Sequence, residues 1–104
     1  YARAFARLEN HYFHNRGFLM PGQGILDRMD RIARIPGLIV QGRYDMICPP
    51  AGAHRLAALW PAARLRMIPR AGHALSEPGI AAELVRATDA LGRGNEGPVF
   101  GRAT

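Results

Sequence analysis

Two residues that could act together as an acid and a base, Asp45 and His73, each follow a segment that predicts a short strand. Asp45 comes after residues 38–40, and His73 comes after residues 64–69. A carboxylate bound to one imidazole nitrogen fixes the tautomer and leaves the other nitrogen free to take a proton from a nucleophile. The pair therefore indicates general-base chemistry, provided that the fold brings the two side chains together.

The nucleophile for such chemistry is not evident in the sequence. Ser76 is the only serine, and it stands in Leu-Ser-Glu-Pro rather than in the G-x-S-x-G elbow that exposes an attacking hydroxyl. Cys48 has no elbow either. We expect Ser76 to cap a helix and Cys48 to be a small, partly buried residue beside the acid. Neither residue is a convincing nucleophile.

The elements that must position Asp45 and His73 follow from the spacing of apolar residues. Apolar residues at helical period, with proline at some helix starts, predict four helices. An apolar run at 38–40 and a segment with one apolar side at 64–69 predict two short strands. In the second helix, Asp27 with Arg31 and Asp30 with Arg34 have the i, i+4 spacing of ion pairs. The predicted helices cover 2–13, 25–33, 51–60 and 78–91, and the strands cover 38–40 and 64–69.

The order helix, helix, strand, helix, strand, helix predicts an α/β fold with two parallel strands. Functional groups in such sheets lie just beyond the carboxyl ends of the strands, which is where Asp45 and His73 fall. The order of an acid followed by a histidine is also that of the α/β-hydrolases. Two parallel strands leave open edges, so we expect the chain to be incomplete by itself and prone to association.

Composition excludes several classes of protein. The 104 residues are 48% hydrophobic, which favours a packed interior, and no apolar run approaches the roughly 20 residues that span a bilayer. The net charge of +6 comes from arginines scattered without a run, which argues against a nucleic-acid binder. A single cysteine excludes an intrachain disulfide and favours the cytoplasm.

The chain begins at Tyr1 without an initiator methionine, and we interpret Tyr1 as a point of truncation.

Three blocks of sequence resemble one family, the proline iminopeptidases. They are RLENHYF at 7–13, IPGLIVQGRYDMICP at 35–49 and IPRAGH at 68–73, and shorter stretches at 60–65, 77–80 and 87–89 are also similar. The GRYD and AGH motifs are shared widely among α/β-hydrolases, whereas ENHYF is specific. The resemblance covers most of residues 1–92 and corresponds to the last third of such an enzyme.

The resemblance implies a serine exopeptidase that removes an N-terminal proline, with Asp45 as the triad acid, His73 as the general base and Glu9 as the carboxylate that binds the substrate's free amino group. It implies no metal and no cofactor, and it leaves the oligomeric state open. It divides the chain into the end of a helical cap domain at 1–16 and the C-terminal part of an α/β-hydrolase core at 17–92. The remaining residues, 93–104, have no counterpart, and their glycines and low apolar content predict a flexible tail.

Two other functions stay open at this point. The chain could belong to a different α/β-hydrolase, of the esterase or epoxide hydrolase type, that shares only the aspartate and histidine loops. It could also be a small basic module that binds nucleic acid, although we expect no nucleic-acid or membrane partner. Because the serine elbow is not in the chain, we expect the 104 residues alone to be inactive.

Overall fold

The computed structural model describes residues 1–95 and 97–100, and within them helices alternate with two strands from residue 37 onward. Two 3-10 segments, Arg16–Phe18 and Ile25–Arg31, separate the first helix from the first strand. The elements are α1 (Ala2–His14), β1 (Gly37–Gly42), α2 (Pro50–Ala58), β2 (Ala63–Ile68), α3 (Pro78–Gly92) and α4 (Gly97–Phe100).

The strands β1 and β2 pair in parallel, in a register that runs from Gly37 opposite Ala63 to Gly42 opposite Ile68. Helix α2 connects them, as expected of parallel neighbours that need a long crossover. The carboxyl ends of both strands therefore meet at one edge of the sheet. The predicted α/β arrangement of two parallel strands with flanking helices is confirmed.

The start of the sheet is fixed by Trp60, which lies in the connection between α2 and β2. Its Nε1 donates a hydrogen bond of 2.9 Å to the carbonyl of Ile35. Its ring lies so close to Gly37 that a Cβ there would overlap it. A residue without a side chain at the first position of β1 is therefore required for this packing.

The described residues form a small core beside the sheet. Helix α2 packs against both strands, and α3 packs against β1. Most buried side chains are small, and no large one is fully buried within the part of the chain that the structure describes. The buried apolar residues are Met29, Ala53, Ala62, Ala71, Ile80, Ala87 and Val99.

Helix α1 is amphipathic but buries none of its residues. Leu8 is 62% exposed and Phe13 is 75% exposed. The helix contacts the 3-10 segment that follows it, where the ring of Phe18 lies 5.5 Å from that of Tyr12. Its apolar side is consequently not covered by the described residues.

One predicted helix is wrong in type. The segment predicted as an α-helix at 25–33 forms a 3-10 helix over Ile25–Arg31, interrupted at Arg28 by a non-helical φ of −125°. Three residues per turn do not place i and i+4 side chains together, and neither expected ion pair forms among the described residues. Asp27 instead accepts the backbone N–H of Gly24 at 3.2 Å.

Part of the segment for which we predict a flexible tail, 93–104, forms the short helix α4. Its Val99 is buried, and the helix contacts both strands and α3. The prediction underestimated the apolar pair Val99 and Phe100 among the glycines. Glu96 and residues 101–104 lie outside the described residues, and the domain boundaries at 16 and 92 stay predictions.

Candidate active site

Asp45 is held at the end of β1 by its own loop. The side chain is buried, with 7% of its surface exposed, and its Oδ1 accepts the backbone N–H groups of Ile47 and Cys48 at 2.9 and 2.8 Å. These two bonds fold the loop around the carboxylate. They occupy one oxygen and leave Oδ2 free to meet another group.

That group is His73, which follows β2 after the loop formed by residues 69–72. The Nδ1 atom of His73 lies 3.0 Å from Oδ2 of Asp45. Beside a carboxylate, Nδ1 carries the proton and the other ring nitrogen, Nε2, becomes the acceptor. Because the His73 side chain is 53% exposed, Nε2 can receive a proton from a group outside the described residues.

The electrostatics of the pair keep Asp45 ionised. Burial raises the pKa of the Asp45 carboxyl, but the hydrogen bonds from Cys48 N–H, His73 and Ile47 N–H together outweigh burial and hold the pKa below its ordinary value of 3.8. An ionised carboxylate favours a positive charge on the imidazole next to it. The arrangement can therefore stabilise an imidazolium that forms when His73 takes up a proton.

Backbone contacts fasten the two loops to one another. The N–H of Arg43 donates to the carbonyl of Ile68 at 3.0 Å, and the N–H of Tyr44 donates to that of Ala71 at 2.9 Å. The approach is so close that a Cβ at Gly42 would overlap the carbonyl oxygens of Ala71 and Gly72. Glycine at this position thus lets the histidine loop lie directly on the acid loop.

Sequence reasoning missed Gln41, which braces the acid loop from inside. Its Nε2 donates to the carbonyls of Gly42 and Cys48, both at 3.0 Å. The side chain thereby spans the loop from its first residue to the turn that holds Asp45. The signal available in the sequence was a polar residue interrupting an otherwise apolar strand.

Glu9 lies on the exposed surface of α1. No hydrogen bond or ion pair joins its carboxylate to Asp45, His73 or any other described residue. The structure therefore brings together two of the three predicted site residues. The third has a free carboxylate in a helix whose apolar side is uncovered by the described residues.

The expectations for Ser76 and Cys48 are wrong. The residue at the N-terminal boundary of α3 is Glu77, no side chain caps that helix, and Ser76 is exposed. Pro78 at the first helical position moves the boundary one residue past the serine. Cys48 is exposed rather than partly buried, because its backbone, not its thiol, faces the acid.

No cluster of three or more histidine, cysteine, aspartate or glutamate side chains suited to a metal ion occurs among the described residues. His11, His14 and His54 are all exposed. Among the same residues, no helix has the length and apolar character needed to cross a membrane.

The two parallel strands with flanking helices, and the aspartate and histidine that follow them, are those of the C-terminal part of an α/β-hydrolase. Comparison with curated proteins shows which α/β-hydrolases the chain is similar to. The chain is 48% identical over 91 residues to a proline iminopeptidase of Arabidopsis thaliana, 51% over 89 residues to one of Xanthomonas citri, and 45% over 86 residues to one of Neisseria gonorrhoeae. These matches cover 88, 86 and 83% of the chain. No family model matches the chain.

The similarity confirms the resemblance to the proline iminopeptidases, and the chain corresponds to a C-terminal fragment of such proteins. It spans 24, 28 and 27% of the length of these three relatives. About three quarters of each relative therefore has no counterpart in the 104 residues.

Proposed function

We propose that this chain supplies the acid and the base of a serine aminopeptidase that releases proline from the free N-terminus of peptides. The observation that carries the proposal is the 3.0 Å contact between His73 Nδ1 and Asp45 Oδ2 at the ends of two neighbouring parallel strands. The similarity to proteins named proline iminopeptidases supports the substrate class.

In this mechanism, Nε2 of His73 accepts the proton of a serine hydroxyl as its oxygen attacks the carbonyl carbon of the N-terminal proline residue. Asp45 stabilises the imidazolium that results. His73 then returns the proton to the departing peptide amine, and the acyl-enzyme forms. A water molecule, deprotonated by His73 in turn, releases proline and restores the serine. The serine and the donors that stabilise the oxyanion lie outside the chain.

Glu9 would recognise the charged amino end of the substrate. Its exposed carboxylate has no partner among the described residues, so it is available to pair with a secondary ammonium group. A carboxylate in a partly desolvated pocket binds such a group and disfavours a blocked terminus, which cannot offer the charge. We further propose that the protein is cytoplasmic and acts without a metal or an organic cofactor.

The first test compares the complete protein with the 104-residue chain on a chromogenic amide of proline and on its N-acetylated form. We expect the complete protein to hydrolyse the free amide alone, and the short chain to hydrolyse neither, since it has no elbow serine. Equal hydrolysis of the blocked and free amides would contradict the aminopeptidase assignment. Turnover by the short chain would contradict the placement of the nucleophile outside it.

The role of Glu9 is tested with Glu9→Gln in the complete protein, against Asp30→Asn as a matched change of an exposed carboxylate. Loss of a charged hydrogen bond predicts a fall of roughly 10- to 100-fold in kcat/KM for proline amide. Asp30→Asn is expected to leave this value unchanged. If Glu9→Gln leaves kcat/KM for proline amide unchanged, Glu9 does not bind the amino end of the substrate. Hydrolysis of esters or epoxides without hydrolysis of proline amide would instead favour an α/β-hydrolase of the esterase or epoxide hydrolase type.

A further inference from the structure

The peptide group that joins Ala71 to Gly72, immediately before His73, is held from both sides. Its carbonyl accepts the N–H of Tyr44 in the acid loop at 2.9 Å. Its N–H donates to both carboxylate oxygens of Glu77, at 2.9 and 2.8 Å. The plane of the Ala71–Gly72 peptide group therefore has one fixed orientation between the acid loop and the start of α3.

The Glu77 carboxylate makes this contact and does not cap its own helix. It is the residue that precedes Pro78 at the start of α3, where a side chain usually accepts the free N–H groups of the first turn. No such capping bond forms, and the half-buried carboxylate turns back to Gly72 instead. The Glu77 N–H also donates to the carbonyl of Ala74 at 3.1 Å, which closes residues 72–77 into a loop that contains His73.

The loop has little freedom to shift while these contacts exist. A Cβ at Gly72 would lie 2.9 Å from Glu77 Oε1, and a Cβ at Gly42 would overlap the carbonyls of Ala71 and Gly72. Gly72 is thus packed between the acid loop and the Glu77 carboxylate. The hydrogen bond from a backbone N–H to an ionised carboxylate is stronger than one between neutral groups, so it is suited to holding such a position.

We propose that Glu77 is a positioning residue that holds His73 against Asp45 through the Gly72 N–H. The effect on turnover rests on the proposed function, whereas the effect on the Asp45–His73 hydrogen bond does not. Glu77 does not touch the reacting atoms in this proposal. It acts by limiting the displacement of the imidazole, and displacement of a catalytic group by about 1 Å can cost about 100-fold in rate.

The first experiment follows the His73 Nδ1 proton by NMR in the complete protein. A proton shared with a buried carboxylate gives a downfield, slowly exchanging signal, and we expect it in the wild type and in Asp89→Asn, an exposed carboxylate change on the same helix. The signal should broaden or vanish in Glu77→Ala. Glu77→Gln keeps one acceptor oxygen at the same reach, so it should retain a weaker signal.

The second experiment measures kcat and KM on proline amide for the same variants. Glu77→Ala should lower kcat by about 10- to 100-fold with KM changed by less than about twofold, because the substrate contacts are untouched. Glu77→Gln should fall between Glu77→Ala and the wild type. Asp89→Asn should match the wild type in both constants.

The outcomes separate this proposal from the proposed function. An unchanged Nδ1 signal in Glu77→Ala, or in Glu77→Gln if the alanine variant does not fold, together with unchanged kcat overturns the role of Glu77 and leaves the aminopeptidase intact. Loss of the signal in a protein that never releases proline supports the role of Glu77 and overturns the aminopeptidase. A fall in kcat with an unchanged Nδ1 signal overturns the positioning role.

Discussion

The segment from β1 to α3 and the helix α1 are held by different means. In the first, side chains and backbone groups of neighbouring loops bind one another, and Asp45, Ile80 and Ala87 are buried. In the second, thirteen residues form a helix that buries nothing. A helix of this length is marginal in water unless its apolar side packs against something. The geometry of the Asp45–His73 pair is therefore fixed within this chain, whereas the described residues do not fix the position of Glu9.

The largest expected effect tests the segment from β1 to α3 at its centre. Asp45→Asn keeps an oxygen for the Ile47 and Cys48 N–H groups but offers an NH2 group to His73, which favours the wrong tautomer. We expect kcat of the complete protein to fall by about 10⁴-fold, with its melting temperature much less affected. Steady-state kinetics on proline amide measure this. A fall of less than tenfold would mean that the pair does not act as an acid and a base.

The contrast in burial predicts a contrast in stability. Ile80 is 6% exposed, so Ile80→Ala should lower the free energy of unfolding by about 2 to 5 kcal/mol. Phe13 is exposed on α1, and Phe13→Ala should change the unfolding free energy of the 104-residue chain by less than about 0.5 kcal/mol. Urea unfolding of both variants makes the comparison. A large cost for Phe13→Ala would show that α1 is packed in this chain.

A smaller effect is expected where the two site loops touch. Gly42→Ala forces a methyl group into the carbonyls of Ala71 and Gly72, and we expect a loss of roughly 1 to 3 kcal/mol of stability. Gly52, in helix α2, has open space around it. Gly52→Ala should therefore stabilise the protein by roughly 0.5 to 1 kcal/mol. Thermal unfolding should give opposite shifts, and shifts of the same sign would refute the close approach at Gly42.

Low pH should reduce the free energy of unfolding of the segment from β1 to α3, because the Asp45 carboxylate becomes protonated. Its pKa lies below 3.8 in the folded state, so ionisation of this carboxyl stabilises the fold above that value, and the stabilisation is lost as pH falls through the folded pKa. Asp45→Asn removes this dependence. Between about pH 5 and pH 2, the unfolding free energy of the wild type should drop more steeply than that of the variant. Parallel curves would contradict the lowered pKa.

Much of this architecture was predictable because its signals are local. The apolar run before Asp45 and the apolar side of the segment before His73 predicted both strands, and proline at position 50 or 78 predicted a helix start. Placing an acid and a histidine after consecutive parallel strands was enough to predict that they would meet. The 3-10 helix at Ile25–Arg31 was not predicted, since its apolar residues fit a helical period while its backbone breaks at Arg28.

The bracing of the site was not predictable in the same way. Gln41 and Glu77 act through backbone groups, and a backbone N–H or carbonyl leaves no trace in the sequence. In the sequence, Glu77 is an acidic residue before Pro78, and nothing in its spacing indicates the Gly72 N–H as its partner. Val99 was assigned to the tail because neighbouring glycines dominated its composition, although one buried side chain was enough to join α4 to the sheet.

The chain contains a single tryptophan, and its location has a practical consequence. Trp60 meets the first residue of β1 and donates its indole N–H to the residue two positions before it. Its surroundings change from those of a packed ring to those of a hydrated one when the strand detaches. Intrinsic fluorescence excited at the indole band therefore reports the assembly of the sheet without a label, and α1 contributes no indole to that signal.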